Sequence, residues 1–239
     1  MTMERVVENE WLDSDLGTPE EIDAALRSVS LANRRFGGVR LHARLLQRAL
    51  ARGLPETRPH ILEVASGRAD VLQAALLRLG SAVGVAPDVT LLDRSAVHLP
   101  DPRAWPAELP TPHVLAGDAL DLPFPDSSVD IVSCCLFLHH LEPLQIVRYL
   151  AEARRVARVA VVINDLERSA IHYRLAQLNR ILDRSRISRH DGPVSVRRAY
   201  TRSELAGMLT NTGHRFHLER AWLYRLGGVL WCGEVNEAK

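Results

Sequence analysis

The stretch His60-Ile61-Leu62-Glu63-Val64-Ala65-Ser66-Gly67-Arg68-Ala69-Asp70 decides the architecture. Ile61, Leu62 and Val64 form a short apolar run that ends at small residues, and an apolar pattern at helical spacing (Val71, Leu72, Ala75, Leu76, Leu79) follows at once. This order predicts a strand, a tight turn and a helix. At Ala65, Ser66, Gly67 and Ala69 little side chain keeps a ligand off the backbone, and the free N–H groups of the new helix end point into the same space. Glu63 adds a carboxylate at the end of an otherwise apolar strand.

Glu63 to Asp70 resembles the first motif of class I S-adenosylmethionine-dependent methyltransferases, an acid followed by a glycine-rich turn. The family pattern is Glu/Asp-x-Gly-x-Gly-x-Gly; here Ala65 and Ala69 replace two glycines and Gly67 remains. Alanine resists positive φ, so the turn is expected to form without a left-handed residue at those two places. The missing glycines also keep open a non-enzymatic reading, a catalytically silent methyltransferase-like scaffold.

The rest of the chain supplies further signals in order. Val83 to Val85 and Val89 to Leu92 bracket Ala86-Pro87-Asp88, and the second group ends in Asp93. An acid at the tip of the second strand of a doubly wound sheet can accept hydrogen bonds from ribose hydroxyls. Arg94-Ser95 follow, and capping of the next segment is the alternative role for Asp93. Five prolines between Pro100 and Pro112 exclude regular helix or central strand there. His113 to Ala116 then leads into Gly117-Asp118-Ala119, and Asp130 begins the apolar run Ile131-Val132-Ser133-Cys134-Cys135. These resemble the family's third motif and fourth strand. The resemblance implies that Asp118 accepts the adenine amino group and the next backbone N–H meets a ring nitrogen. Glu63, Ala65, Ser66, Gly67, Asp93, Arg94, Asp118, Ala119 and Cys135 are thus the implied cofactor residues.

Leu136-Phe137-Leu138-His139-His140-Leu141-Glu142-Pro143 resembles the segment after strand four in quinone-pathway and small-molecule methyltransferases. A histidine at the carboxyl end of a central strand can serve as general base, because its ordinary pKa lies near neutrality. Neighbouring histidines are expected to point apart, with no carboxylate-rich set beside them, so no metal is assigned.

Pro143 to Ala157 reads as a helix and Val156 to Ile163 as a strand buried on both faces. The roughly thirty-five residues that follow exceed an ordinary connection. Glu167 to Leu182 reads as a helix and Arg184 to Pro193 as a basic loop. In these enzymes an insertion here builds a substrate cap. Phe36, Phe137, His172, Tyr173 and Arg189 are therefore candidate substrate contacts, and His190, beside Asp191, joins His139 and His140 as a candidate catalytic residue. An exposed basic loop is the competing reading.

Ahead of the first strand, Thr18-Pro19-Glu20-Glu21 carries a capping box with proline at the first helical position. A second helix, Val39 to Ala51, follows Gly37-Gly38, which is either a lid hinge or a plain junction. Thr201 and Glu204 cap another helix, and Phe216 to Leu223 and Tyr224 to Cys232 read as a closing strand pair. The fold expected is α/β: a Rossmann-like seven-stranded methyltransferase sheet, mostly parallel with the last strand antiparallel, helices on both faces, and a helical cap. Residues 1–53 are assigned to an N-terminal helical lid and 54–239 to the methyltransferase domain, with the cap at about 166–199.

Composition is that of an ordinary globular chain of 239 residues, and 30 basic against 29 acidic residues give no global pull toward nucleic acid or a membrane surface. Three cysteines, two of them vicinal, suit a reducing, cytoplasmic setting better than a disulfide framework. No apolar run reaches bilayer length. Monomer and homodimer both remain open. The stretch Ser188 to Tyr200, with Asn33 to Gly38, resembles bacterial methyltransferases encoded beside type III polyketide synthases. That implies S-adenosylmethionine as cofactor, S-adenosylhomocysteine as product, and O-methylation of a phenolic or polyketide acceptor in secondary metabolism. C-methylation of a quinol or resorcinol ring is the runner-up, and RNA or protein methylation comes third.

Overall fold

The computed structural model describes residues 3–14, 16–52, 58–80 and 86–233. The expected strand at Val83 to Val85 and the 53/54 boundary lie outside the described residues. Seven strands form one sheet in the order β3-β2-β1-β4-β5-β7-β6: β1 (His60–Val64), β2 (Asp88–Asp93), β3 (His113–Ala116), β4 (Val129–Cys135), β5 (Ala157–Leu166), β6 (Phe216–Ala221) and β7 (Arg225–Trp231). β1 pairs in parallel with β2 and β4, β2 with β3, and β4 with β5; β7 runs antiparallel to both β5 and β6. This is the expected Rossmann-like methyltransferase sheet, with six strands parallel and the last reversed.

The order follows from burial. β1, β4 and most of β5 are buried, so they occupy the centre, whereas β3 is largely exposed and ends the sheet. Asp130 is buried, accepts the backbone N–H of His60 at 2.8 Å and pairs with Arg158 at 3.0 Å, tying the start of β4 to its neighbours. One face of the sheet is covered by α2 (Gly38–Leu50) and α3 (Asp70–Leu79), the other by α4 (Pro143–Val156) and α7 (Arg202–Thr210).

α1 (Pro19–Arg35) starts at the Thr18–Glu21 capping box, and α7 at the Thr201–Glu204 box. Gly37-Gly38 is a packed junction. Gly38 is buried, Asn164 Nδ2 donates to its carbonyl at 3.0 Å, and a Cβ there would fall on Asn33 Oδ1. α2 buries Leu41, Leu45 and Leu46 as a regular layer of the sheet.

The insertion after β5 is two helices, α5 (Ala170–Leu182) and α6 (Arg186–Arg198), which corrects the expected basic loop. Ser185 caps α6 by accepting the N–H of Ser188, and α6 buries Ile187, Asp191, Val194 and Val196. This inward face outweighs the hydrogen bond that Pro193 cannot make inside the helix. α6 also anchors the N-terminal segment: Asp191 accepts the N–H groups of Trp11 and Leu12 at 2.9 and 3.0 Å, and the His190 ring stacks on Trp11 at 4.0 Å.

Candidate active site

A cavity of about 870 Å³ opens at the carboxyl ends of β1, β2 and β4, where ligands bind in open α/β sheets. One half is the turn after β1. Ala65 and Ala69 adopt φ of 50° and 55°, beside Gly67 at 48°. The expectation that alanine would avoid the left-handed region is thereby corrected: the turn keeps the backbone path of glycines and takes the strain. Asp93 holds it in place, with one carboxylate oxygen accepting the N–H of Gly67 at 2.8 Å and the other that of Ser95 at 2.9 Å. The capping role and a ligand role are compatible, since each oxygen keeps a second lone pair. Asp118, exposed toward the cavity, accepts the N–H of Leu120 at 2.9 Å. Glu63 is buried, receives Ser133 Oγ, and lies 3.7 Å from His42 Nε2. Glu63, Ala65, Ser66, Gly67, Asp93, Arg94, Asp118, Ala119 and Cys135 all line this cavity.

The other half is built around the short 3₁₀ turn Leu138–His140. The two histidine rings lie side by side, centroids 4.1 Å apart, each held by a carboxylate. His139 Nδ1 meets Asp165 Oδ1 at 2.6 Å, and His140 Nδ1 meets Asp13 Oδ2 at 2.8 Å. Glu10 faces them, its Oε1 3.6 Å from His139 Nε2. The expectations of diverging rings and no accompanying acids are corrected here. Asp165 reaches in from the end of β5, and the N-terminal segment brings Glu10 and Asp13, so the acids come from parts of the chain that no local pattern connects. Arg198 fixes the turn from behind, donating to the carbonyls of His139 and His140 at 3.2 and 2.9 Å.

Electrostatics separate the acids. Burial pushes the Glu10 carboxyl up to about 7. Burial also works upward on Asp165, but the charge of His139, the hydrogen bond from it and the Leu166 N–H hold that carboxyl below its ordinary value. Asp13 is likewise lowered despite its burial, by its hydrogen bond with His140 and by the charges of His140 and Arg198.

Among the expected acceptor contacts, Phe137, His139 and His140 line the cavity, whereas Phe36, His172, Tyr173, Arg189 and His190 lie outside its wall. Phe36, just after α1, is exposed, and the buried Asn33 of α1 lines the cavity instead. His172 packs on Tyr224 and meets the Glu167 carbonyl at 2.9 Å. His190 pairs with its neighbour Asp191 at 2.8 Å, and together they seat the N-terminal segment. Glu10 and Asp13 have no counterpart among the residues singled out from sequence, and Asp165 figures there only as the end of a strand.

Residues 62–162 match the family described as Methyltransferase domain. Over this stretch the chain is similar to a methyltransferase domain. The match runs from within β1 to within β5 and takes in the motif turn, Asp93 and the Gly117-Asp118 loop. No curated protein matches the sequence. Solved structures share the fold at low identity. A SAM-dependent methyltransferase from Aquifex aeolicus is 22% identical over 80% of this chain and 88% of its own, with a TM-score of 0.53. The plantazolicin methyltransferase BpumL, solved in complex with SAH, is 13% identical over 93% of each chain, with a TM-score of 0.64. The CMeT domain of the citrinin polyketide synthase is 14% identical over 77% of this chain and 50% of its own, with a TM-score of 0.55. Among the described residues, no helix is long and apolar enough to cross a membrane.

Proposed function

We propose that this methyltransferase transfers the methyl group of S-adenosylmethionine to a hydroxyl of a small phenolic or polyketide-derived acceptor. The turn at Ala65 to Asp70 receives the cofactor, Asp93 takes the ribose hydroxyls, and Asp118 with the Ala119 N–H takes the adenine edge. The two alanines leave this half of the cavity open, because both follow the left-handed path that glycine would take. That supports the enzymatic reading over a silent scaffold. The cofactor supplies an electrophilic methyl group on sulfur and leaves as S-adenosylhomocysteine, the bonding pair staying on sulfur.

The acceptor is assigned to the end lined by Glu10, Phe137, His139 and His140, with residues 9–14 and α1 as its lid. The observation that carries this assignment is the Asp165–His139 pair. With Nδ1–H donated to Asp165, Nε2 keeps its lone pair and faces the cavity. That lone pair can take the proton of an acceptor hydroxyl directly, or hold an electrophile that loosens it. The remaining acceleration comes from alignment of the acceptor with the methyl group.

Calorimetry with S-adenosylmethionine and S-adenosylhomocysteine tests the cofactor side, with Asp93→Ala and Asp118→Ala beside the parent. Binding by the parent and roughly tenfold or greater loss in both variants is expected, given about 1.5–3 kcal/mol for a hydrogen bond to a charged group. A folded parent that binds neither molecule would overturn the reading. Methylated products of phenol, resorcinol and quinol screens, resolved by NMR, separate O- from C-transfer.

A further inference from the structure

The polar end of the cavity has more built into it than an acceptor seat requires. Glu10, His139 and His140 each present a ligand atom within 4.8 Å of the other two, and Glu10 and His139 are buried. Ser195 lies near enough to hydrogen-bond the Glu10 carboxyl, but the Oε1 atom is shielded from solvent and has no hydrogen-bond partner among the described residues. A buried carboxylate oxygen without a partner is costly and points to a missing ligand.

Both imidazoles are prepared in the same way. His139 Nδ1 is engaged by Asp165 at 2.6 Å and His140 Nδ1 by Asp13 at 2.8 Å, which leaves Nε2 of each ring as the nitrogen available to a ligand. A carboxylate behind a histidine fixes the tautomer and ring direction of metal-binding imidazoles and makes them better donors. The gap of 3.6 Å between Glu10 Oε1 and His139 Nε2 is close to the roughly 3.3 Å separating two donors that each bind zinc at about 2.0–2.1 Å in a tetrahedron. Charge agrees as well. Asp13 and Asp165 back the two imidazoles and Glu10 faces them, with Arg198 and Arg94 as the cations beside Asp13, so the cluster carries more carboxylates than guanidiniums and suits a dication.

We propose that Glu10, His139 and His140 form a binding site for a divalent cation of the zinc class, with Asp165 and Asp13 as the outer carboxylates that aim the two imidazoles. Two nitrogens and one oxygen favour zinc or cobalt over magnesium and calcium, which prefer all-oxygen shells. Three protein ligands leave a position open toward the cavity, as in catalytic rather than structural zinc sites. An acceptor hydroxyl bound there would lose its proton to solvent more readily, which is the task left to His139 in the preceding section. The proposal rests on that reading for its purpose and on the local geometry for its existence.

The test uses chelator-treated full-length protein and Zn²⁺ alone in calorimetry, with Co²⁺ added separately to read visible absorption. The parent is expected to bind one equivalent of Zn²⁺, to give a tetrahedral or five-coordinate Co²⁺ spectrum, and to show no comparable uptake of Mg²⁺. Glu10→Gln and His140→Ala should each weaken Zn²⁺ by at least tenfold, Asp13→Asn by 10–100-fold as an outer-shell change, and His217→Ala on β6 not at all. S-adenosylhomocysteine binding, measured on every variant, reports whether the fold and the cofactor half are intact. A parent that binds S-adenosylhomocysteine but no stoichiometric Zn²⁺ overturns the metal site and leaves the methyltransferase reading standing. Zn²⁺ affinity unchanged in both Glu10→Gln and His140→Ala overturns it too. Zn²⁺ binding without S-adenosylhomocysteine binding supports the site while removing the proposed function.

Discussion

His139 Nδ1 lies 2.6 Å from Oδ1 of Asp165, and a second oxygen of the same carboxylate accepts the backbone N–H of His139 at 3.1 Å. One buried acid at the end of β5 thus fixes both the position and the tautomer of a residue at the end of β4. Asp165→Asn keeps the shape but can present its amide nitrogen to the ring, which favours the wrong tautomer. The expected result is a fall in kcat for any accepted phenol of roughly 10²-fold or more, the scale of a lost proton-transfer group. S-adenosylhomocysteine affinity, measured in parallel, should stay within a few fold.

Ala65 stands at φ 50° without being part of the tightly buried core. A left-handed non-glycine residue costs roughly 1–2 kcal/mol, while glycine returns roughly 0.4–1 kcal/mol through the unfolded chain. Ala65→Gly should therefore stabilise the protein by about 0.5–1 kcal/mol in urea unfolding. The same change at Ala69 should help less, because its buried methyl group packs in the core.

Gly227 sits on β7 where α2 crosses the sheet, and a Cβ there would come within 2.6 Å of Leu41 Cδ1 and 3.0 Å of Leu45 Cδ1. Both leucines are at most 1% exposed. Gly227→Ala is expected to destabilise by about 1–3 kcal/mol, the usual cost of overpacking. Adding Leu41→Ala should recover part of that loss, giving non-additive unfolding energies in a double-mutant cycle.

Burial lowers the imidazoles of His60 and His172 below their ordinary 6.5. In the folded state they stay neutral, whereas the unfolded chain protonates them as pH falls below about 6.5. Unfolding then takes up protons, so the stability present above pH 6.5 is lost as pH drops through the depressed folded values. Glu10, pushed up to about 7, works in the opposite direction over the same window, so the His172 contribution is read as a difference: the urea midpoint of the parent minus that of His172→Gln should fall as pH drops from about 7.5 to about 5. A difference that grows on acidification would contradict the burial argument.

The sequence by itself determined most of the elements and their order, with α6, expected as a basic loop, the exception. The strand at Ile61 to Val64, the helix after Ala69, Asp93 at the tip of β2, the Gly117-Asp118 loop, and the caps at Thr18 and Thr201 are all local: each rests on side-chain period, on turn chemistry, or on a hydrogen bond across three residues. The cofactor half of the cavity inherits that legibility because its residues fall at the ends of consecutive strands. The acceptor half does not. Asp13 reaches His140 across 127 positions, and Asp191 holds Leu12 across 179. These contacts exist only after the sheet has formed and α6 has packed against the N-terminal segment. The left-handed alanines belong with them. A local preference of roughly 1–2 kcal/mol against positive φ was overruled by the hydrogen bond from Gly67 to Asp93 and by the packing of α3, and only the tertiary structure could decide that contest.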